Sequence, residues 1–441
     1  MKKIIKLDLL PKIFLIFSLC VLSMFYGIIS YHENWFPYPL VSKVKSLIKE
    51  SFTDKGYYLE TEYSTLVPVY NENSAYSSLS LVTSLVEDKK MSARIIDMEG
   101  ETLHEWEIDW FELWPDVQHI PKTDPWYPKS RPGTSIHGAV LLENGDLIFI
   151  FERLGLVRLD VCGNVVWRLP RRTHHSIYLD EYDNLWIPGR ISHEEPLPNF
   201  PNQKPLFYEE TILKISLDGE VLKEISVFDI LKANRLEGLL YLSSFGDQIV
   251  NASNDPLHLN DIDIFPSYMD EGIFKAGDIM ISLRNINTIL IFREEDLNVT
   301  HMFTGMFVRQ HDPDFVDGNT ISVYDNYRLT EENYNNQSRI LIGSFINGEF
   351  DVYYTGTEQE PFYSYVMGKH EWLPNGNLLI TESTRGRAFE IEQDGNIVWE
   401  YVNLLGEGKV GRVSEVHRLP RGFTEEYLEQ LIKKCGVNYS E

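Results

Sequence analysis

The sequence predicts an all-β protein, a six-bladed β-propeller preceded by an N-terminal transmembrane helix. Three observations predict it. Asn-Gly and Asp-Gly dipeptides recur between alternating apolar residues, a histidine leads a strand-like segment six times, and one uncharged apolar run lies near the N-terminus.

The apolar run covers residues 13–31, IFLIFSLCVLSMFYGIISY. At ~1.5 Å per residue it is long enough to cross a hydrocarbon core of ~30 Å. Lys2, Lys3, Lys6 and Lys12 precede it with only Asp8 opposing them, whereas His32 and Glu33 follow. The positive-inside rule therefore expects residues 1–12 as a cytoplasmic tail and everything after the anchor outside, in a periplasm or beyond the cell. A cleaved signal peptide is the competing reading, but the run is long for one and no small-x-small site follows. Residues 32–65 read as a linker, in which Val41, Val44, Leu47, Ile48 and Phe52 fall at the spacing of a short amphipathic helix. The sequons at Asn251, Asn298, Asn336 and Asn438 are permitted outside the membrane.

Composition narrows the function. The 441 residues hold 40 Lys+Arg against 66 Asp+Glu, a net charge of −26. A phosphate backbone would be repelled, and without a basic patch nucleic acid is excluded as a partner. Cys20, Cys162 and Cys435 are the only cysteines, too few for a disulfide framework, and the sequence leaves open whether Cys162 and Cys435 pair. Oligomeric state is equally open.

Residues 66–423 are expected to form the propeller. The clearest copies of the repeat are HGAVLLENGDLIFIFERLGLVRLDVCGNVVW from His137 and KHEWLPNGNLLITESTRGRAFEIEQDGNIVWEY from Lys369. Each reads as a run of hairpins with type I′ turns, and small sheets recurring every ~40–50 residues bury their faces by packing around an axis. The leading histidines are His137, His175, His258, His311, His370 and His417, spaced by 38, 83, 53, 59 and 47 residues, with a loop insertion expected over residues 193–208. Ser92–Ile108 repeats only the outer half of a unit and Ser414–Pro420 only its start, so together they are expected to complete one sheet from both ends of the chain. Residues 424–441 are expected to be a helix and tail, with Thr424 as N-cap and Tyr427, Leu428, Leu431 and Ile432 on one face.

First strands of propeller blades line a central channel, so the leading histidines should converge at one mouth, where such folds bind ligands. His258 has Asn260 two residues on and Arg284 on the next strand; His311 stands in RQHDPDF; His174 and His175 lead another unit. Position also places His137 and His370 at the mouth as substrate-binding residues.

These motifs resemble the arylsulfate sulfotransferases of the bacterial periplasm, over about residues 66–423. The resemblance rests on HLN at 258–260 with ISLRNINTI at 281–289, QHDPDF at 310–315 with YDN at 324–326, and LPNGNLLITESTRGRAFEI at 373–391. It implies a six-bladed propeller in which His311 accepts a sulfuryl group, His258, Asn260 and Arg284 hold the sulfate oxygens, and His174–His175 completes the site. Asn285-Ile286 stands where the family often has His-Gln after its Arg, and Ser267–Ala276 is an insertion between His258 and Arg284; both bear on substrate preference.

The chemistry is consistent with those residue types. An Arg fork with Asn and His donors suits the three oxygens of a sulfate monoester. A neutral imidazole at His311 can attack sulfur and a phenol or alcohol can then discharge it, with His175 as general acid and base. The substrates expected are an aryl sulfate donor and a phenolic acceptor, the lipid bilayer contacts residues 13–31, and no cofactor is expected, since no phosphate-cradling Gly-rich loop is present. Two other readings are a tethered binding module without catalysis, and a hydrolase whose His with Asp312 or Asp314 holds a cation.

Overall fold

The turns decide how the strands pair. The computed structural model describes the chain apart from residues 1–8, 34, 39, 41–57, 123, 125, 201–202, 204–206, 243–253, 330–336, 345–347, 407 and 437–441. In the hairpin at Glu143-Asn144-Gly145, Gly145 N–H donates to Leu142 O and Leu142 N–H to Asp146 O, and among these residues only Gly145 has positive φ, at 85°. The same pattern recurs at Gly100, Gly163, Gly219, Gly376 and Gly395. These are type I turns closed by a left-handed glycine, not the type I′ turns expected from the dipeptides. The Asn or Asp occupies the last right-handed position, so glycine alone takes the conformation that a Cβ would strain.

Six antiparallel sheets of four or five strands follow, beside a small three-stranded one. Sheet 1 is Ile136–Leu141, Leu147–Phe151, Gly155–Leu159 and Val165–Leu169; sheet 2 is Tyr178–Leu179, Asn184–His193, Phe207–Ser216 and Val221–Ser226. Sheet 3 is Leu259–Ile264, Asp278–Leu283, Thr288–Arg293 and Val299–Thr304; sheet 4 is His311–Asp317, Thr320–Asp325, Arg339–Ser344 and Glu349–Thr355. Sheet 5 is Lys369–Trp372, Leu378–Glu382, Arg387–Ile391 and Ile397–Val402, with Val69–Tyr70 added at its outer edge. Sheet 6 takes Val413–Arg418 from the end of the chain and pairs it with Ser80–Leu85, followed by Met91–Ile96 and Thr102–Ile108. The two half-units read from the sequence therefore lie in one sheet, which also holds Ser80–Leu85.

Consecutive sheets pack face to face. Ile148, Ile150 and Leu156 of sheet 1 meet Leu185, Ile187 and Leu213 of sheet 2. Comparable clusters join sheets 2 and 3, 3 and 4, 4 and 5, and 5 and 6. Sheet 6 meets sheet 1 through Trp106, whose indole N–H donates to Asp160 O at 2.9 Å. Each fully buried aliphatic or aromatic side chain in these layers contributes roughly 1.5–3 kcal/mol.

The sequence reading places a loop at 193–208 to account for the 83-residue interval between His175 and His258. The connection between the paired ten-residue strands of sheet 2 falls there, and the interval also holds two helical segments that the reading lacks, Val227–Ala233 and Glu237–Tyr241. Ser226 caps the first helix, and Val227, Phe228, Ile230 and Leu231 are buried. The amphipathic helix expected over 41–52 and the sequons at Asn251, Asn336 and Asn438 lie outside the described residues; Asn298 is exposed.

The N-terminal unit, Met1–Tyr58, is a body of its own. Its helix Leu9–His32 contains a stretch, Pro11–Tyr31, long and apolar enough to cross a membrane. At the other end of the chain, Thr424 Oγ1 accepts from Tyr427 N–H at the start of the helix Glu425–Ile432, and Leu428 and Leu431 are buried. Leu431 seats against the bare Cα of Gly145, and Cys435 forms a disulfide with Cys162. The bridge closes a loop between positions 273 apart and ties the last helix to sheet 1.

Two outcomes follow from this packing. Cys435→Ser should lower the unfolding midpoint in thermal denaturation by the equivalent of about 2–4 kcal/mol while leaving the β-sheet circular dichroism intact. Gly138→Ala should be costlier for activity than for folding. A Cβ there would lie 2.5 Å from His175 O, so the His174–His175 segment must shift. We expect a loss of about 1–3 kcal/mol in stability and about 10²-fold in activity; an active Gly138→Ala protein would show that the segment tolerates displacement.

Candidate active site

A shared irregularity brings the sequence-predicted residues together. In sheets 1, 3, 4 and 6 the first strand carries a β-bulge at corresponding points, between Ile136 and Ala139, Leu259 and Asp261, His311 and Pro313, and Val413 and Glu415. A bulge sets two residues against one and re-aims a side chain. The residues within these bulges include His137, Asn260, Asp312 and Ser414, and all four line a single small cavity with His175, His311, Gly368 and Lys369. Sheet 2 contributes His175, which sits before its strand with φ of 64°. His258, with φ of 58°, stands just before the bulged strand of sheet 3, and its ring centroid is 5.0 Å from that of His175. The His175 ring is also 4.4 Å from His137 and 6.2 Å from His311.

His311 has its tautomer settled by geometry. Its Nδ1 is 2.6 Å from Asn326 Oδ1, and Asn326 Nδ2 donates to the carbonyls of Ser364 and Met367. Those two carbonyl acceptors orient the amide, so Oδ1 must accept and Nδ1 must carry the proton. Nε2 is then a bare lone pair, and it is buried without a hydrogen-bond partner. Burial, then the Arg284 charge, pushes the His311 pKa well below the usual histidine range. The imidazole is neutral, with its nucleophilic nitrogen free.

His258 is built alike. Nδ1 lies 2.5 Å from Asp255 Oδ2, and Nε2 is buried and unpartnered. Burial lowers its pKa to about 4 against the opposing pull of Asp255. Burial also lowers Arg284 to about 10, with Arg309 adding to the effect. Arg284 Nε has no hydrogen-bond partner, and among the described residues no carboxylate is ion-paired with this guanidinium. The desolvated guanidinium feels the carboxylates of Asp255 and Glu152 without an ion pair to either among the described residues, and its charge acts on His258 and His311.

The His174–His175 pair divides into two roles. His175 lines the cavity, and burial followed by the neighbouring imidazoles holds its pKa well down. His174 is wholly buried behind it, with Nδ1 2.8 Å from His175 Nδ1 and Nε2 2.9 Å from Glu210 Oε2. His137 directs Nδ1 at Glu152 Oε2, 2.9 Å away, and the same carboxylate accepts from His175 N–H.

Two expectations are corrected, those for His370 and His417. Asn260 Nδ2 donates one of its two hydrogens to Gln310 O at 2.8 Å, and its Oδ1 is buried without a hydrogen-bond partner. His370 is expected to bind substrate, yet both its nitrogens are engaged, Nδ1 with Asp312 Oδ2 at 3.0 Å and Nε2 with Ser322 Oγ at 2.7 Å. It holds Asp312 and leaves the cavity to Lys369. His417 is the penultimate residue of its strand and turns to Glu415 and Glu371; Ser414 takes the cavity position of sheet 6. The aromatics Trp186 and Tyr324 are core residues.

The residues that sequence reasoning missed are the partners behind the histidines. Lys369 Nζ bridges Asp312 Oδ1 at 2.5 Å and Asp261 Oδ1 at 3.1 Å. Asn326, Glu152, Glu210 and Asp255 each face one imidazole nitrogen. Asp255, three residues before His258, was within reach of a reading of NDPLHLN, and Asn326 stands in the YDN motif without its role being legible there; Glu210 carries no local signal. By distance alone His137, Glu152 and His175, or Asp312, Asp314 and His370, could hold a cation. Asp312, however, already neutralises Lys369, and Glu152 is flanked by Arg153 at 3.2 Å.

The chain is similar in outline to several solved structures. A protein of unknown function from Bacteroides caccae matches at 13% identity and a TM-score of 0.46, covering 77% of this chain and 98% of that one. A catalytically inactive variant of virginiamycin B lyase from Staphylococcus aureus, solved with quinupristin, matches at 10% identity and a TM-score of 0.38, covering 78% and 88%. The Cps50 (Swd1) beta-propeller domain of Myceliophteria thermophila matches at 8% identity and a TM-score of 0.41, covering 82% and 99%. Scores this low say nothing about substrate. No curated protein sequence matches the chain. The arylsulfotransferase (ASST) family model matches residues 138–404, which hold the bulged first strands of sheets 3 and 4, and also His258, Arg284 and His311: the chain belongs to the arylsulfotransferase family.

Proposed function

We propose that this chain is a membrane-anchored, six-bladed propeller enzyme that moves a sulfuryl group from an aryl sulfate ester to a phenol or alcohol through a sulfohistidine at His311. The observation that carries the reading is the bare, buried Nε2 of a neutral His311 that lines the cavity and feels the charge of Arg284. In the first step Nε2 attacks sulfur, an N–S bond forms, the S–O bond breaks, and the aryl oxide leaves with the electron pair. Arg284 meets the charge spread over the sulfuryl oxygens, and the second Nδ2 hydrogen of Asn260 is a further donor. In the second step the acceptor oxygen attacks sulfur, the N–S bond breaks, and imidazole is restored. A phenol of pKa ~10 must lose its proton as it attacks, and His175 is the base we assign. No nucleotide-activated sulfate enters this cycle.

The six sheets are the six blades, and the pairing of Val413–Arg418 with Ser80–Leu85 is what supports a closed ring. The Leu9–His32 helix supplies the anchor, with residues 1–12 inside the cell and the catalytic part, residues 66–423, outside.

Purified full-length protein should transfer sulfate from p-nitrophenyl sulfate to phenol, unaffected by a metal chelator. His311→Ala and His311→Asn should each abolish transfer with the β-sheet signal unchanged. Retained transfer in His311→Asn would remove His311 from the chemistry, and a folded wild type inert with varied donors would favour a binding module.

The pH dependence has a defined sign. A histidine whose folded pKa is depressed is neutral above that value and gains charge only below it. Release of p-nitrophenolate should stay level from about pH 8 to about pH 5, then fall as His258 protonates toward about 4. A midpoint near 6.5, the ordinary histidine value, would show that the site is not desolvated.

A further inference from the structure

Behind the cavity, one cation touches the partners of two different site histidines. Arg190 lies in the strand Asn184–His193, directly across from Glu210 in Phe207–Ser216, and its side chain is 2% exposed. Its Nη2 lies 2.5 Å from Glu210 Oε1 and 3.2 Å from Asp255 Oδ1. The Tyr208 ring lies under the guanidinium, 4.6 Å from Cζ. Glu210 turns its other oxygen to His174 Nε2, 2.9 Å away though off the ideal line, and Asp255 turns its other oxygen to His258 Nδ1.

We infer that Arg190 is a positioning residue that keeps Glu210 and Asp255 as carboxylates, and through them sets which ring nitrogens of His258 and His175 face the cavity. A carboxylate can only accept, so His258 must present Nδ1–H to Asp255 and turn a bare Nε2 inward. By the same logic His174 presents Nε2–H to Glu210, its Nδ1 accepts from His175 Nδ1–H, and His175 turns a bare Nε2 inward. Arg190 touches neither substrate nor reacting atom. It acts on both histidines from outside the cavity, and one residue therefore governs the sulfate-binding and the proton-transferring imidazoles together.

The charges around this network are few, and all but the mutual repulsion of Glu210 and Asp255 favour it. Arg190 faces Glu210, Asp255 and, further off, Glu152; Glu210 faces Arg190, His174 and Asp255; Asp255 faces His258, Arg190 and Arg153. Burial opposes the ionised form of each carboxylate, and the arginine and histidine charges outweigh it, leaving both below their ordinary values. Without Arg190 one of the charges that oppose burial at both carboxyls is gone. Both would take up protons at higher pH, and His258, facing a neutral Asp255, would lose the charge that favours its protonated form and would protonate at lower pH.

The consequence for catalysis rests on the proposed sulfotransfer, but the tautomers can be read directly. Solid-state ¹⁵N spectra of histidine-labelled full-length protein, with His258→Asn used to assign its signal, should show His258 protonated at Nδ1 and bare at Nε2. In Arg190→Gln that state should be lost and the His258 titration midpoint should move down by about 1 pH unit or more, with Arg190→Lys restoring it in large part. Should Arg190→Gln not fold, Glu210→Gln isolates one arm: the His174 and His175 signals change and His258 does not. In the transfer assay, the acid limb of kcat/KM in Arg190→Gln should move down with the His258 midpoint. An Arg190→Gln protein with wild-type His258 spectra and titration, or a Glu210→Gln protein with unchanged His174 and His175 signals, overturns the inference. If the wild type transfers no sulfate, the spectra still decide the role of Arg190, and only the proposed reaction is lost.

Discussion

The site depends on one hydrogen bond, from His311 Nδ1 to Asn326 Oδ1. An imidazole free to choose its tautomer would offer the cavity either a proton or a lone pair, and only the lone pair can take up an electrophile. Asn326 removes the choice because its own amide is oriented by two backbone carbonyls, those of Ser364 and Met367, in the segment leading into sheet 5. His311 begins sheet 4 and its constraint comes from the segment before the next sheet, so the state of one nitrogen depends on how two sheets pack. Burial completes the arrangement: it lowers the pKa of His311, and it strengthens whatever Arg284 does to a bound anion.

The architecture contributes a repeated defect. Regular strands would turn alternate side chains toward the two faces of each sheet and leave nothing aimed along the centre. A bulge near the start of four first strands breaks that alternation where those strands approach one another, and His137, Asn260, Asp312 and Ser414 meet in one cavity as a result. The same repeat thus makes both a core, through its regular part, and a site, through its irregular part. The close approach of Gly138 to the His175 carbonyl shows how little slack there is between sheets 1 and 2.

Much of this was legible in the sequence, because hairpin turns and leading histidines are local signals. Six strand-leading histidines were recognisable, and HLN and QHDPDF pointed to His258, Asn260 and His311. What could not be read depends on contacts across sheets. His417 looks like its counterparts in sequence, yet the bulge in its strand places Ser414 at the cavity. His370 leads its strand as His311 does, but Asp312 and Ser322 occupy both of its nitrogens. Asn260 has the expected residue type, and only the position of Gln310 O reveals which amide atom is free. The helix Val227–Ala233 escapes a sequence reading because a nearby loop rich in Pro and Asn is enough to explain the long interval.

The central claim is that sulfur becomes bonded to one nitrogen. It is tested most directly by incubating full-length protein with an aryl sulfate donor and no acceptor, quenching, and sequencing the peptides by mass spectrometry. One added sulfuryl group on the peptide containing His311, discharged on addition of phenol, is the result expected. An unmodified His311 peptide with aryl oxide released, or a sulfuryl group on another residue, would contradict the account.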